Sequence, residues 1–365
     1  MKYVGIDLHK QTIAVCVVNQ ERKVLGRKTF LCKDTAGIQR YFRELGEFQF
    51  VVEATAAYEW LGRLLEPLAA RWLLAHPGKM RMIAETTQKT DKLDAQVLAE
   101  FLALDMIPES YRPTPREREH RVLVRYRMKC RQHVTKLKCR MRYLAATYNA
   151  DCKDLFQEDQ LEVFAARAEL TDADRFVFGE HRQSYAAALD RLKSATLKLR
   201  EFAGTGSAAE QAAREILRSV PGVGEVVSEV VLAELGDVDR FDSIKSATAY
   251  AGLVPIQRES AGKSRELAIT KQGSRILRWA MVEAAWQSVQ HSARWSGIYE
   301  ALKKRRGAKK AIVAVARRLL AMLTSMLKSG TAYKPSLPEL RERAAKEAAR
   351  KSKRRKAAAA VPVPA

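Results

Sequence analysis

Residues 3–19 (YVGIDLHKQTIAVCVVN) alternate apolar and polar positions around a polar break at His9–Gln11, a pattern that predicts two strands joined by a tight turn. RKVLGRKTF predicts a third strand, and a helical stretch near 36–46 follows it. The apolar run Phe48–Val52 reads as a buried strand that ends in Glu53. From Tyr58 to Ala70 the spacing becomes helical, then a short strand is expected around Trp72–Ala75 and a helix from about Asp91 to Leu104.

From Pro115 the pattern changes. Leu123, Cys130, Leu137 and Leu144, with Val134 and Met141 between them, mark a heptad-like stripe on one long helix. Tyr185, Leu189, Leu192 and Leu199 repeat the spacing on a second helix from about His181 to Phe202, so the pair is expected to fold as an antiparallel hairpin. Ala203–Glu210 (AGTGSAAE) reads as a linker, and residues 211–330 as mostly helical, with Trp279 and Trp286 at core-like helical spacing. Four regions follow: 1–110, an α/β domain whose element order is ribonuclease-H-like; 111–205, a basic helical hairpin or coiled coil; 206–330, a mostly α-helical C-terminal domain; and 331–365, a basic tail expected to be disordered.

Charge narrows the class of partner. The 365 residues carry 65 Lys and Arg against 42 Asp and Glu, a formal net charge of +23, which points to a polyanion, nucleic acid before acidic membrane. The long helix concentrates this charge, with Arg125, Lys129, Lys136 and Arg140 among its outward cations, and is read as a nucleic-acid-facing arm rather than a solvated coiled coil. Cys16, Cys32, Cys130, Cys139 and Cys152 form no CxxC pair and read as reduced thiols. The N-terminus lacks a signal-peptide pattern and no apolar run reaches bilayer length, so a cytoplasmic protein without a membrane partner is expected.

Four acidic residues carry the candidate chemistry. Asp7 sits at the end of the first strand and Glu53 at the end of the fourth, while Asp91 and Asp94 in KTDKLDA are three apart on one helix face. Each alone reads as a solvated charge or a cap, Asp91 as a helix N-cap. Together they form a set of hard oxygen ligands of the kind that two divalent ions need in a phosphoryl-transfer site. GIDLHK, VVEATAAYEWL and KTDKLDAQVLA resemble the three blocks of the DEDD transposases of the insertion sequence 110 family, whose N-terminal domain is similar to the Holliday-junction resolvase RuvC. The resemblance runs from about residue 3 to 328. It implies Asp7, Glu53, Asp91 and Asp94 as ligands of Mg²⁺ or Mn²⁺; Ala56 and Ala57 stand before Tyr58 where the family often has a glycine.

The C-terminal half holds a second constellation. Pro221-Gly222-Val223-Gly224 reads as a turn between two helices, and in helix-hairpin-helix modules such a turn, here Gly222 and Gly224, presents backbone N–H groups to a phosphate; a plain helical corner is the other reading. AYAGLVPIQRESAGKSRELAITKQGSRILRWAM resembles the family's C-terminal transposase domain, in which a serine in a small-residue, glycine-containing loop is the nucleophile. Ser260 occupies that position; Ser264 is the other candidate. Relatives often show a pair of serines before the glycine, of which one survives here. Lys263, Arg265 and Lys271 flank the serine, either as phosphate contacts or as a basic surface loop.

The resemblance implies a recombinase that cuts DNA by serine attack and rejoins it, acting on element ends and target DNA, guided by a noncoding bridge RNA, and assembling from homodimers into a tetramer that meets the nucleoid. A RuvC-like nuclease that uses metal-activated water, and a non-catalytic nucleic-acid-binding protein, are the alternatives.

Overall fold

In a computed structural model of the chain, the described residues are 1–340 without 56, 84–90, 158, 168, 261–262 and 337–338, and side chains are described for these except 82–83, 91–93, 257–260 and 263–267. They divide into two compact units, Met1–Arg112 and a second that begins at Pro113.

Among the described residues of the first unit, five strands form one mixed sheet. β1 (Lys2–Leu8), β2 (Thr12–Val18) and β3 (Val24–Leu31) form antiparallel neighbours, and β4 (Phe48–Glu53) and β5 (Arg71–Ala75) add in parallel beside β1, giving the order β3-β2-β1-β4-β5. Tight turns suffice for the antiparallel strands, whereas each parallel step needs a crossover. These crossovers contain α1 (Thr35–Glu44) and α2 (Tyr58–Leu65). The helical spacing read from Tyr58 to Ala70 ends early, in a 3₁₀ turn at Glu66–Leu68, because Pro67 has no amide hydrogen for the helical ladder.

Each sheet face buries its own layer. Val4, Ile6 and Leu8 of β1, with Phe48, Phe50 and Val52 of β4, pack with Ile38 and Phe42 of α1 and Leu61 and Leu65 of α2. On the other face α4 (Asp91–Ala103) sets Ala95 and Ala99 against Ala14, Cys16 and Val18, and Leu98 and Leu102 against Val51 and Leu73. Gly5 makes this approach possible, since a Cβ there would lie 2.0 Å from the Ala95 carbonyl oxygen. Between β5 and α4 lies α3 (Pro77–Ile83), which the apolar pattern did not announce.

The second unit is mostly helical. α5 (Pro115–Thr147) starts with a capping box between Thr114 and Glu117 and runs antiparallel to α7 (Asp172–Gly204): Arg116 bonds the Phe202 carbonyl at one end, and Tyr148 bonds Asp174 at the other. Val134, Leu137 and Met141 meet Phe178, Tyr185 and Ala188, with Phe164 of α6 (Gln160–Ala165) closing the distal end. Leu189, expected in the stripe, is 40% exposed, because the helix turns Ala188 and Ala195 inward instead.

At the other end Val124, Met128 and Leu199 join a larger core built from α8 (Ala208–Arg218), α9 (Glu225–Leu235), α10 (Ile244–Tyr250), α11 (Arg275–His291), α12 (Ala293–Arg306) and α13 (Ala308–Ser329). The stretch read as a linker is largely helix. α7 continues to Gly204, and Ser207 already caps α8 by accepting from the Glu210 amide, so only Thr205–Ser207 connects them. The helices are interrupted by a hairpin, β6 (Pro255–Ser260) and β7 (Lys263–Ile269). Trp279 and Trp286 are 40% and 38% exposed, a correction to their expected core placement, because Leu277, Ala280, Met281 and Ala284 occupy the inner face of α11. Among the described residues no helix is long and apolar enough to cross a membrane.

Candidate active site and nucleic-acid interface

Strand alternation places the first acids. Val4, Ile6 and Leu8 face α1 and α2, so Gly5 and Asp7 face the side covered by α4. Phe50 and Val52 likewise face α1 and α2, so Val51 and Glu53 share the α4 side. β1 and β4 are parallel, with Ile6 opposite Val52, which brings Asp7 and Glu53 to the same carboxyl end of neighbouring strands. Asp94 is exposed on the first turns of α4, next to the Ala95 that touches Gly5. The backbone of Asp91 opens that helix, and its side chain lies outside the described residues.

Asp7 is held from one side. Its side chain is 15% exposed, and Oδ2 lies 2.8 Å from Nε2 of His9, whose backbone closes the β1–β2 turn by donating to the Thr12 carbonyl. Its position two residues beyond Asp7, next to the polar break that predicts a tight turn, was the available signal in the sequence. Among the described residues, no three of His, Cys, Asp and Glu converge closely enough to hold a metal ion. The donor set nevertheless fits a hard cation. Asp7, Glu53 and Asp94 are all carboxylates, and the buried Thr55 hydroxyl oxygen just past Glu53 has no hydrogen-bond partner among the described residues.

Ser260 ends β6 and pairs through its backbone with Lys263 at the start of β7, while Arg258 pairs with Arg265. The side chains of Ser260, Ser264, Lys263 and Arg265 lie outside the described residues. What the structure defines is the base of this hairpin. Gly252, at φ +66°, and Gly273, at φ +79°, let the two chains that enter and leave it nest together: a Cβ on Gly273 would lie 1.8 Å from the Tyr250 carbonyl oxygen. Lys271 is exposed at φ +55° and its amide donates to the Gly252 carbonyl. Arg278 then donates from Nη1 to the carbonyls of Ala251, Gln272 and Gly273 at 3.0–3.1 Å, fastening both ends of the hairpin. Nothing in the spacing of residues announced that arginine.

At the Pro221–Gly224 turn, Gly222 has φ +91° and abuts α11, where a Cβ would lie 2.4 Å from the Ser288 nitrogen. Gly224 caps α9 with no side-chain hydrogen bond and has open space around it. A cavity of about 510 Å³ opens beside the turn, with Arg218, Ser219, Gln287 and His291 in its wall.

On α5 the expected cations separate into two groups. Arg125 donates from Nε and Nη2 to both oxygens of the buried Glu234, at 2.8 and 2.9 Å. Arg121 bonds the Ala233 carbonyl and Arg142 bonds Asp151, so these arginines, Arg125 among the expected outward cations, are engaged inside the unit. Lys129, Lys136 and Arg140 are exposed and have no partner among the described residues. Deeper in, Arg214 holds the buried Glu229 at 2.9 Å; burial opposes its ionisation, but the nearby His120 and Arg214 outweigh it and draw the carboxyl below its ordinary range.

Residues 4–149 match the DEDD transposase model for insertion sequence 110, and residues 214–300 match a family described as Transposase IS116/IS110/IS902. Among curated relatives, the transposase for insertion sequence element IS1111A of Coxiella burnetii is 24% identical, over 92% of this chain and 92% of its own length. The transposase for insertion sequence element IS1328 of Yersinia enterocolitica is 23% identical, over 80% and 86%. A pilin gene-inverting protein of Moraxella lacunata is 22% identical, over 92% and 99%.

Proposed function

This chain belongs to the insertion sequence 110 family of transposases, and on that premise we propose that it breaks and rejoins DNA strands using Ser260 as nucleophile, together with a divalent cation held by Asp7, Glu53, Asp91 and Asp94. The observation that carries the reading is the placement of Asp7 and Glu53 on the α4 side of one sheet, at the carboxyl ends of two parallel strands, with Asp94 on the helix that covers that side. The strand order β3-β2-β1-β4-β5 supports a ribonuclease-H-like fold for this unit. A pilin gene-inverting protein among the relatives supports rejoining as well as cutting.

In this reading the Ser260 oxygen bonds to a backbone phosphorus, its proton passes to a base, and one phosphorus–oxygen ester bond breaks to release a DNA hydroxyl. The phosphoserine link keeps the ester energy, so a hydroxyl of another strand displaces the serine without ATP. Bound Mg²⁺ or Mn²⁺ would supply electrostatic stabilisation of the charge that builds on the transferring phosphoryl group. His9 orients the Asp7 carboxylate. Arg278 with the Gly252–Gly273 contact holds the base of the serine hairpin, and Lys263, Arg265 and Lys271 neutralise the phosphate. Lys129, Lys136 and Arg140, with the Gly222 and Gly224 turn, grip backbone phosphates. A noncoding guide RNA supplies base reading, and dimers pair into a tetramer so that two duplexes exchange strands.

Trapping on a nicked DNA substrate tests the serine. Wild type should leave a denaturation-resistant protein–DNA adduct that Ser260→Ala lacks. Undiminished cleavage by Ser260→Ala would overturn the serine and leave metal-activated water as nucleophile. Asp7→Asn should bind DNA but not cut it, and unchanged cutting would overturn the carboxylate role.

A further inference from the structure

A dense and fully exposed cluster of positive charge stands at the corner where α12 passes into α13. Lys303, Lys304, Arg305 and Arg306 close α12, Gly307 turns the chain at φ +78°, and Lys309 and Lys310 open α13; every residue from 303 to 310 is exposed. Lys303 has Glu300 as a neighbour at 3.3 Å, whereas Lys304, Arg305, Lys309 and Lys310 have no partner among the described residues. This differs from α5, where the buried Glu234 and the last carbonyls of α9 absorb arginine donors.

Helix electrostatics account for only half of the corner. Cations in the last turn of α12 face the negative end of its dipole and are favoured there. Lys309 and Lys310 stand in the first turn of α13, a 22-residue helix with no acidic residue in that turn and no side-chain cap, where the dipole is itself positive. Two lysines and a row of uncapped amides therefore add their charge at one point, and neither lysine has a partner among the described residues.

We infer that this corner is a docking surface for the phosphate backbone of double-stranded DNA, an inference that rests on the reading above that the chain acts on DNA. Residues 303–310 contain no aromatic or large aliphatic side chain, so the corner has neither a stacking platform for single strands nor a wedge for a membrane. It also lacks Asn and Gln, the common partners of adenine edges, which suits contact without base reading.

The test is duplex binding across a salt series by the full chain and by Lys304→Gln/Arg305→Gln/Lys309→Gln/Lys310→Gln. All four positions are exposed, so the melting curve should be retained. The slope of log affinity against log salt should become shallower by about 3–4, and affinity at low salt should fall at least roughly tenfold. Wild-type slope and affinity in the variant would overturn the corner and leave DNA binding by the chain intact. Failure of wild type to bind duplex would overturn the reading beneath it. A loss confined to a structured RNA of equal length, with duplex binding unchanged, would overturn the assignment to DNA.

Discussion

Glu234 is completely buried, and Arg125 closes on both of its oxygens from the neighbouring helix. Removing the arginine leaves an uncompensated interior carboxylate, so Arg125→Ala should lower stability by about 3 kcal/mol, read from urea unfolding. Lys136→Ala, on the same helix but exposed, should stay within about 0.5 kcal/mol. Equal losses in the two variants would contradict this division of the α5 cations. Acid sensitivity follows from the same class of contact. Arg116 draws the Glu210 carboxyl below its ordinary range, Arg200 does so for Glu225, and Glu229 is lowered despite burial. A depressed carboxylate stabilises the fold above its unfolded value and ceases to do so as pH falls through the folded one. Melting temperature should therefore be flat near neutrality and decline below about pH 5, and an increase on acidification would be the contrary result. The sequence shows each of these charges, but not which arginine meets an interior acid and which meets solvent, because partners such as Arg125 and Glu234 lie 109 residues apart.

Two glycines of one turn have opposite structural demands. At Gly222 a Cβ would meet the Ser288 nitrogen at 2.4 Å with φ at +91°, so Gly222→Ala should destabilise the second unit by roughly 2 kcal/mol or more. At Gly224, with φ −91° and open space, Gly224→Ala should leave the melting temperature nearly unchanged while weakening DNA binding. A melt that shifts equally for both would remove the distinction between packing and docking. The same logic applies to Gly5, where α4 rests directly on β1: Gly5→Ala should move α4 off the sheet and abolish DNA cutting without altering any acid, as a cleavage assay would show. The hydrophobic period announced β1 and β4 as apolar strands, because both faces of their sheet are covered, and α4 and α5 through the stripe that each buries. It did not announce α3 or the β6–β7 hairpin, which are short, nor that Trp279 and Trp286 would turn outward when smaller residues filled the inner face of α11.

Two separate cores organise the whole molecule. Strand and helix residues of Met1–Arg112 pack among themselves, and α5 and α7 share their core with the helices that follow rather than standing apart as an arm. Residues 1–112 and 113–340, expressed separately, should each unfold cooperatively in denaturant; a fragment without a sharp transition would show that its core needs the other. The positive charge is distributed unevenly over this architecture. Arginines at the root of α5 are engaged internally, while the corner between α12 and α13 leaves its lysines outward.

The sequence by itself determined the order of the five sheet strands and of the long helices α5 and α7, the strand ends that carry Asp7 and Glu53, the Asp91–Asp94 spacing and the family, because these depend on local period and on motifs that are contiguous in the chain. Tertiary structure alone decided that Asp7 and Glu53 lie on the sheet face that α4 covers, that His9 touches Asp7, that Arg278 fastens the hairpin and that Arg125 serves the interior. Each of these depends on which residues become neighbours when the sheet and helices pack, and packing joins positions whose separation along the chain carries no periodic signal.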